Sequence, residues 1–312
     1  MRGNSRIRLL NCIARAPLDC PVAVVFGHAC AMNWAGPAYD DVGIALTDAL
    51  WQAGYPADLI PSSEIANNAL RINKDGAIQY GPQQYAAVVL YHPEFENETT
   101  AAFFRQAASG PTALYRVGDW TMDFDGQAFR GISRLPSRMQ SFHDARFCAT
   151  AVVEHLRQAG IEQQTPASGM LTRFSRRSCS PATAGQCRLI DGTKIIVAGS
   201  HNVSGDPIRQ TIRVGSYRVA VDAIGVVGIR LNDRGKLVAL AAGGLRNLST
   251  KHQRITLPER IDLALWKDRH GKMHGLLQNY HGPVPRALKT ITDDWQRLDV
   301  PPPLPSEHDA SP

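Results

Sequence analysis

The sequence predicts an α/β domain built on a doubly wound parallel sheet, followed by an all-β sandwich domain. Two near-continuous apolar runs, VAVVF at residues 22–26 and YAAVVLY at residues 85–91, are typical of strands buried on both faces of a parallel sheet. Helical patterns alternate with strands up to about residue 165. Beyond that point, short β-branched runs are separated by turn signals such as Asp191-Gly192, as expected of a sandwich.

The first strand leads into a predicted amphipathic helix. Gly36 and Pro37 are expected to open it, because proline fits the first helical position. Gly54 is expected to end it. Apolar residues at spacings of three, four and seven predict the stripe that packs on the sheet, namely Tyr39, Val42, Leu46, Ala49, Leu50 and Ala53.

The remaining patterns complete a flavodoxin-like alternation of strands and helices. They predict, in order, a strand at 57–60, a hairpin at 71–81, a strand at 85–91, a helix from Thr99 or Thr100 to Gly110, a strand at 112–117 and a helix from Ser137 to Gly160. The predicted organisation is therefore a leader without clear structure (1–20), a flavodoxin-like domain (21–165), a β-sandwich domain (166–300) and a disordered tail (301–312).

Composition narrows the class of protein. The hydrophobic content of 44% is enough for a sizeable core. The net charge of +6 comes from the second half, because residues 1–150 carry 12 Lys and Arg against 14 Asp and Glu. The basic residues are scattered among acids rather than concentrated on one helix, so we expect no nucleic-acid partner. With no secretory leader and no run long enough to span a membrane, we expect a cytoplasmic protein without a membrane partner.

No metal or cofactor is predicted. The six cysteines form no C-x-x-C pair and no Cys/His pairing of the zinc type, and the histidines of the second half are spread over predicted turns of the sandwich. Flavodoxins hold the FMN phosphate with a Thr/Ser-rich loop after the first strand, which the residues from Gly27 to Trp34 lack.

Polar and aromatic side chains follow each of three core strands, and they form the predicted site. Carboxyl ends of parallel strands meet at one edge, where α/β sheets bind ligands. Tryptophan faces stack on sugar rings and carboxylates accept sugar hydroxyls, so we expect this edge to bind carbohydrate. The candidate ligand-binding residues are His28, Asn33, Trp34, His92, Glu94, Asp119 and Trp120, with Glu96 and Asp123 in the same clusters.

Two of these carboxylates, Glu94 and Asp119, are also candidate catalytic groups. A glycosidase would need its pair about 5 to 9 Å apart, which the sequence does not specify. The structural alternative is that the two histidines satisfy loop backbone groups, the two tryptophans pack under the second domain and the acids are solvated.

Several stretches resemble a known domain. VAVVFGHACAMNWAGPAYDDVGIALTDALWQAGYPADLIPSSEI, AAVVLYHPEFE and ALYRVGDW resemble the glutamine-amidotransferase-like domain of the β-galactosidase trimerisation family and of other bacterial glycoside hydrolases. AIGVVGIRL, VALAAGGLRNL and IDLALWKD are similar to a β-sandwich that follows such a domain. In that family the catalytic carboxylates lie on a preceding TIM barrel, for which this chain has no room. The resemblance therefore implies an accessory region.

The sequence departs from true class I amidotransferases at their nucleophile elbow. Val117-Gly118-Asp119-Trp120 stands where those enzymes carry Gly-x-Cys-x-Gly, and Cys30 follows the first strand instead, so glutaminase chemistry is not implied. Three hypotheses remain. The chain is a non-catalytic accessory region that binds carbohydrate or assembles with a catalytic barrel or like subunits; or it is a stand-alone carbohydrate-active hydrolase; or it is a structural oligomerisation module.

Overall fold

The computed structural model describes residues 6, 8–27, 42–93, 96–120, 128, 138–164, 185–198 and 207–299. The chain divides into two compact units. The α/β unit is Asp19–Gln164, and the sheet-rich unit combines Met1–Leu18 with Thr165–Pro312.

The α/β unit has eight described strands and four helices. In chain order they are β1 (Val22–Phe26), α1 (Ile44–Gln52), β2 (Ala57–Pro61), α2 (Ser63–Ala66), β3 (Leu70–Ile72), β4 (Ile78–Tyr80), β5 (Gln83–Gln84), β6 (Ala87–Tyr91), α3 (Glu98–Ala107), β7 (Ala113–Val117), β8 (Gln140–Phe142) and α4 (Ala145–Gln158). The predicted hairpin at 71–81 is present as β3 and β4, and β5 extends it to a three-stranded sheet.

Five strands form a parallel sheet in the order β2-β1-β6-β7-β8. This order matches the 2-1-3-4-5 pattern of flavodoxin-like sheets. Both faces are covered, as doubly wound packing requires. Alternate residues of β1 and β6 pack with α1 and α4 on one face, and with α3 and the β3–β4 hairpin on the other.

Two helices begin later than the sequence predicts. Residues 42 and 43 are not helical, and α1 starts at Ile44 after Gly43, whose φ is 101°. A Cβ on Gly43 would lie 2.8 Å from Cγ1 of Val24, so close packing on β1 favours glycine here. The predicted opening at Gly36 and Pro37 lies outside the described residues. Likewise β8 occupies part of the predicted 137–160 helix, and α4 follows Asp144, whose side chain caps it by accepting from the Arg146 N–H.

The sheet-rich unit is built on one nine-stranded mixed sheet. Its elements are a 3₁₀ helix (Arg8–Cys12), β9 (Gly185–Arg188), β10 (Lys194–Val197), β11 (Pro207–Val214), β12 (Tyr217–Ile224), β13 (Val226–Leu231), β14 (Leu237–Ser249), β15 (Arg254–Lys267), β16 (Met273–Gln278), α5 (Arg286–Lys289) and β17 (Trp295–Leu298). All described pairs are antiparallel except β16 with β17.

The long strands β14 and β15 allow the sheet to fold over one core. β14 pairs with β13 through Ala242 and with β12 from Asn247 onward, and its pairing with β15 shifts register between these two parts. Side chains of the β11–β12 hairpin share a buried cluster with those of β13 to β16. A strand that changes partners at bulges is typical of sandwiches, and this region is consistent with the predicted class.

The N-terminal segment is not the unstructured leader that the sequence predicts. Leu9 and Ile13 are buried against Ala239, Ala241 and Ala264 of the sheet. Arg6 forms a salt bridge with Asp262 at 3.1 Å, and Leu18 pairs with Leu189 in an isolated β-bridge. The segment is therefore part of the sheet-rich core.

Candidate functional site

The carboxyl ends of the three central strands lie at the same level. The register aligns Phe26 with Tyr91, and Tyr91 with Val117. Two backbone hydrogen bonds fix the points where the loops leave β1 and β6. The His92 N–H donates to the Val117 carbonyl at 2.9 Å, and the Gly27 N–H donates to the Tyr91 carbonyl at 3.2 Å. Strand β2 lies on one side of β1, whereas β6, β7 and β8 follow one another on the other side. The strand order therefore reverses between β1 and β6, and α/β sheets of this kind bind ligands at such a switch point.

The structure describes three of the seven predicted ligand-binding residues. His92, Asp119 and Trp120 follow β6 and β7 at this edge. The other four, together with Asp123, lie outside the described residues, and their assignment remains a prediction: His28, Asn33, Trp34 and Glu94.

His92 adopts a left-handed backbone conformation. Its φ is 45°, in a region that few residues other than glycine occupy, although Asn, Asp and His are found there more often than the rest. The ring is half-buried and meets the Tyr91 ring edge-on, with a centroid separation of 4.6 Å. Backbone strain of this kind costs about 1–3 kcal/mol and concentrates at functional sites.

Asp119 is exposed, and a buried cation lies on the strand before it. Arg116 of β7 is 7% exposed, and its Nε and Nη1 atoms find no hydrogen-bond partner among the described residues. Burial lowers the pKa of this guanidinium, and the Asp119 carboxylate acts in the opposite direction. The guanidinium stays charged because its pKa starts far above neutrality. The edge thus combines a solvent-facing carboxylate with a desolvated positive charge.

Glu96 is the centre of a buried network at the same edge. Its carboxylate is 3% exposed and accepts hydrogen bonds from the Ser62 and Thr100 hydroxyls. A Cβ on Gly27 would lie 2.8 Å from the His92 carbonyl oxygen and 3.3 Å from Oε1 of Glu96, so glycine lets the β1 loop approach this network. These hydrogen bonds hold the Glu96 side chain beneath the edge.

Trp120 corrects one prediction. Its side chain is fully buried in the core under α3, and its indole N–H donates to the Glu96 backbone carbonyl at 3.2 Å. A ring with no exposed surface offers no face to a sugar, so Trp120 supports the edge instead of contacting a ligand.

Other chemistry-bearing groups lie apart from this edge. A cavity of about 370 Å³, bordered by Arg138, Gln140 and His155, lies beside the amino end of β7. Burial raises the pKa of the Cys148 thiol to about 12 and also raises those of Cys12, Cys20 and Cys187, which disfavours nucleophilic thiolates. Within the described ranges, no three His, Cys, Asp or Glu side chains are grouped to bind a metal ion.

No helix among the described residues has the length and apolar character needed to cross a membrane. Neither a protein-family model nor a curated protein sequence matches this sequence.

Three solved structures are similar to parts of the chain. The apo exo-carrageenase GH42 from Bacteroides ovatus is 10% identical, with a TM-score of 0.36; the match covers 77% of this chain and 25% of that one. The β-galactosidases from Bacillus circulans sp. alkalophilus and Rahnella sp. R3 are 11% and 12% identical, with TM-scores of 0.44 and 0.39; each match covers 72% of this chain and 42% of the other. The chain thus spans less than half the length of these glycoside hydrolases.

Proposed function

We propose that this chain is a non-catalytic accessory region of a glycoside-hydrolase-like protein, and that the carboxyl edge of its parallel sheet binds carbohydrate. The observation that carries the proposal is the common level of the β1, β6 and β7 ends at the switch point, with His92 and Asp119 following two of them. Polar groups converging at this edge are the usual arrangement for ligands of α/β sheets.

Glu96 supports the edge from inside the protein and is not available to a substrate. A general acid or a nucleophile must reach the substrate, whereas the Glu96 oxygens are engaged by Ser62 and Thr100 inside the protein. Asp119 is accessible and accepts hydrogen bonds from sugar hydroxyls in this proposal, and His92 supplies an imidazole that packs edge-on against the Tyr91 ring.

The test is a binding and activity measurement on the whole chain. Titration calorimetry with galactotriose should give saturable heat, and aryl glycosides should not be hydrolysed. Asp119→Asn and His92→Asn should each lower the affinity about tenfold, because the first removes the charge that strengthens the hydrogen bonds from sugar hydroxyls and the second removes the imidazole. Asparagine suits residue 92 since it tolerates positive φ. Asp75→Asn is the matched control, because Asp75 is an exposed aspartate in the β3–β4 turn, next to Gly76, which lies against Gly110 before β7 begins.

The outcomes separate the hypotheses. Hydrolysis that disappears in Asp119→Asn would instead establish a self-sufficient hydrolase. A stable oligomer in light scattering, with no heat on sugar addition, would instead favour a structural assembly module.

A further inference from the structure

A cluster of exposed cations lies on the sheet-rich unit. β11, β12, the end of β14 and the start of β15 pair side by side, so directly opposite residues share one face. Arg213 lies opposite Arg218, and Ser249 lies opposite Arg254, while Lys251 is exposed in the turn between β14 and β15. We call Arg213, Arg218, Lys251 and Arg254 the basic face.

These cations lack the compensation that cations elsewhere on the same face have. Four residues along β12 from Arg218, Asp222 forms ion pairs with Arg209 at 3.4 Å and with Arg260 at 2.8 Å. Among the described residues, the basic face forms no ion pair with any carboxylate. Like charges directly opposite each other across two strands are destabilising, so the Arg213–Arg218 pair favours an anion from outside the chain.

A shallow hollow lies within this surface and adds hydroxyl groups to it. It has a volume of about 520 Å³, and its lining includes Thr211, Arg218, Ser249 and Lys251. The turn that carries Lys251 is fixed, because the Thr250 hydroxyl oxygen accepts from the Gln253 N–H at 3.0 Å. Cations and hydroxyls are therefore presented together on a fixed support.

The aromatic content of the surface argues against nucleic acid. Single strands bind through stacking on free aromatic rings. Tyr217 lies at the hollow, but its hydroxyl donates to the Asp233 carbonyl at 2.7 Å. Its ring covers Gly235 so closely that a Cβ there would be 2.6 Å from a ring carbon. The tyrosine is held against its own sheet, and the remaining groups suit a ligand with both acidic groups and hydroxyls.

We propose that the basic face binds an acidic polysaccharide. Its arginines and Lys251 pair with sulphate or carboxylate groups of the polymer, and the hydroxyls of Thr211 and Ser249 hydrogen-bond to the sugar. This inference goes beyond the proposed function, because it concerns residues of the sheet-rich unit and a charged ligand.

The experiment titrates the whole chain with dextran sulphate, alginate and uncharged dextran at low and at moderate salt. We expect binding to at least one acidic polymer, none to dextran, and weaker binding at higher salt. The double variant Arg218→Gln with Lys251→Gln should lose about tenfold or more in affinity, since two ion pairs are removed. The matched control Arg209→Gln removes another exposed cation, one that is already paired with Asp222, and the affinity should stay within about twofold.

Three results would overturn the proposal. They are failure to bind either acidic polymer, unchanged affinity in the double variant, and equally tight binding of a single-stranded oligonucleotide of the same charge. A comparison of dextran sulphate, which carries sulphate groups, with alginate, which carries carboxylates, shows which acidic group is recognised. None of these outcomes affects the galactotriose test, which uses an uncharged probe and variants of the α/β unit.

Discussion

The Ser62 hydroxyl donates a hydrogen bond to the buried carboxylate of Glu96, 34 residues further along the chain. Ser62 follows β2, and its own N–H donates to the Phe26 carbonyl at the end of β1 at 2.9 Å. The carboxylate therefore links the loops after β2 and β6 beneath the proposed binding edge. This network holds the edge in place without contributing a reactive group.

Removing one donor from this network should destabilise the α/β unit. Ser62→Ala takes a hydrogen bond from a buried carboxylate, and we expect the free energy of unfolding to fall by about 1–3 kcal/mol in urea denaturation. Ser63→Ala, a half-buried neighbour, should change it by less than about 0.5 kcal/mol. Equal effects of the two variants would show that Glu96 does not depend on Ser62.

Variants of His92 should distinguish the effect of its backbone conformation on stability from the effect of its imidazole on binding. Glycine relieves positive φ but loses more entropy on folding, so His92→Gly should keep the free energy of unfolding within about 1 kcal/mol of the wild type while the affinity for galactotriose falls about tenfold. His92→Val should cost about 2 kcal/mol or more, because a β-branched side chain suits this conformation poorly. Comparable stabilities of the Gly and Val variants would contradict the left-handed geometry.

The carboxylates around His274 predict the response of the sheet-rich unit to acid. The His274 hydrogen bond lowers the pKa of Asp268, and the Lys272 hydrogen bond is the main cause that lowers the pKa of Asp294. A carboxyl group whose pKa is lower in the folded than in the unfolded state stabilises the fold at pH values above the unfolded pKa. This stabilisation is lost as the pH falls through the folded pKa.

The Tm difference between wild type and Asp294→Asn should therefore be largest near about pH 6 and shrink towards about pH 3. Asp293→Asn, which alters an exposed neighbour, should show no such trend. A Tm difference for Asp294→Asn that persists unchanged at the lower pH would exclude this contribution.

The N-terminal segment should contribute to the stability of the sheet-rich unit. Leu9 is fully buried against small residues of β14 and β15, and Leu9→Ala leaves a cavity there. We expect a loss of about 2–5 kcal/mol, measured by chemical denaturation. Asn11→Ala, on the exposed side of the same 3₁₀ helix, should be close to neutral, and a neutral Leu9→Ala would contradict the packing.

Local sequence patterns were enough to predict the central strands, because continuous apolar runs such as 22–26 are typical of strands that are buried on both faces of a sheet. Local patterns were insufficient for elements whose structure depends on contacts with residues far away in the sequence. Gln140–Phe142 is short and polar, and it is a strand only because β7 offers an edge. Leu9 carries no signal of its own, since its partners lie more than 200 residues away.

The candidate site was predicted in position but not in the state of its side chains. The carboxyl edge follows from the alternation of strands and helices. The sequence does not show that Trp120 is buried or that Arg116 is desolvated, because both depend on how the layers close. Glu96 could have been found, since Thr100 follows it by four residues at the start of a helix.

The most direct test of the account is a nuclear magnetic resonance titration of the ¹⁵N-labelled chain with galactotriose. If the carboxyl edge binds carbohydrate, the amide shifts of Gly27, His92, Gly118 and Asp119 should move together and saturate with one dissociation constant. Shifts that leave these four amides unchanged, or that centre on Asp75 and Gly110 beside the amino end of β7, would contradict it.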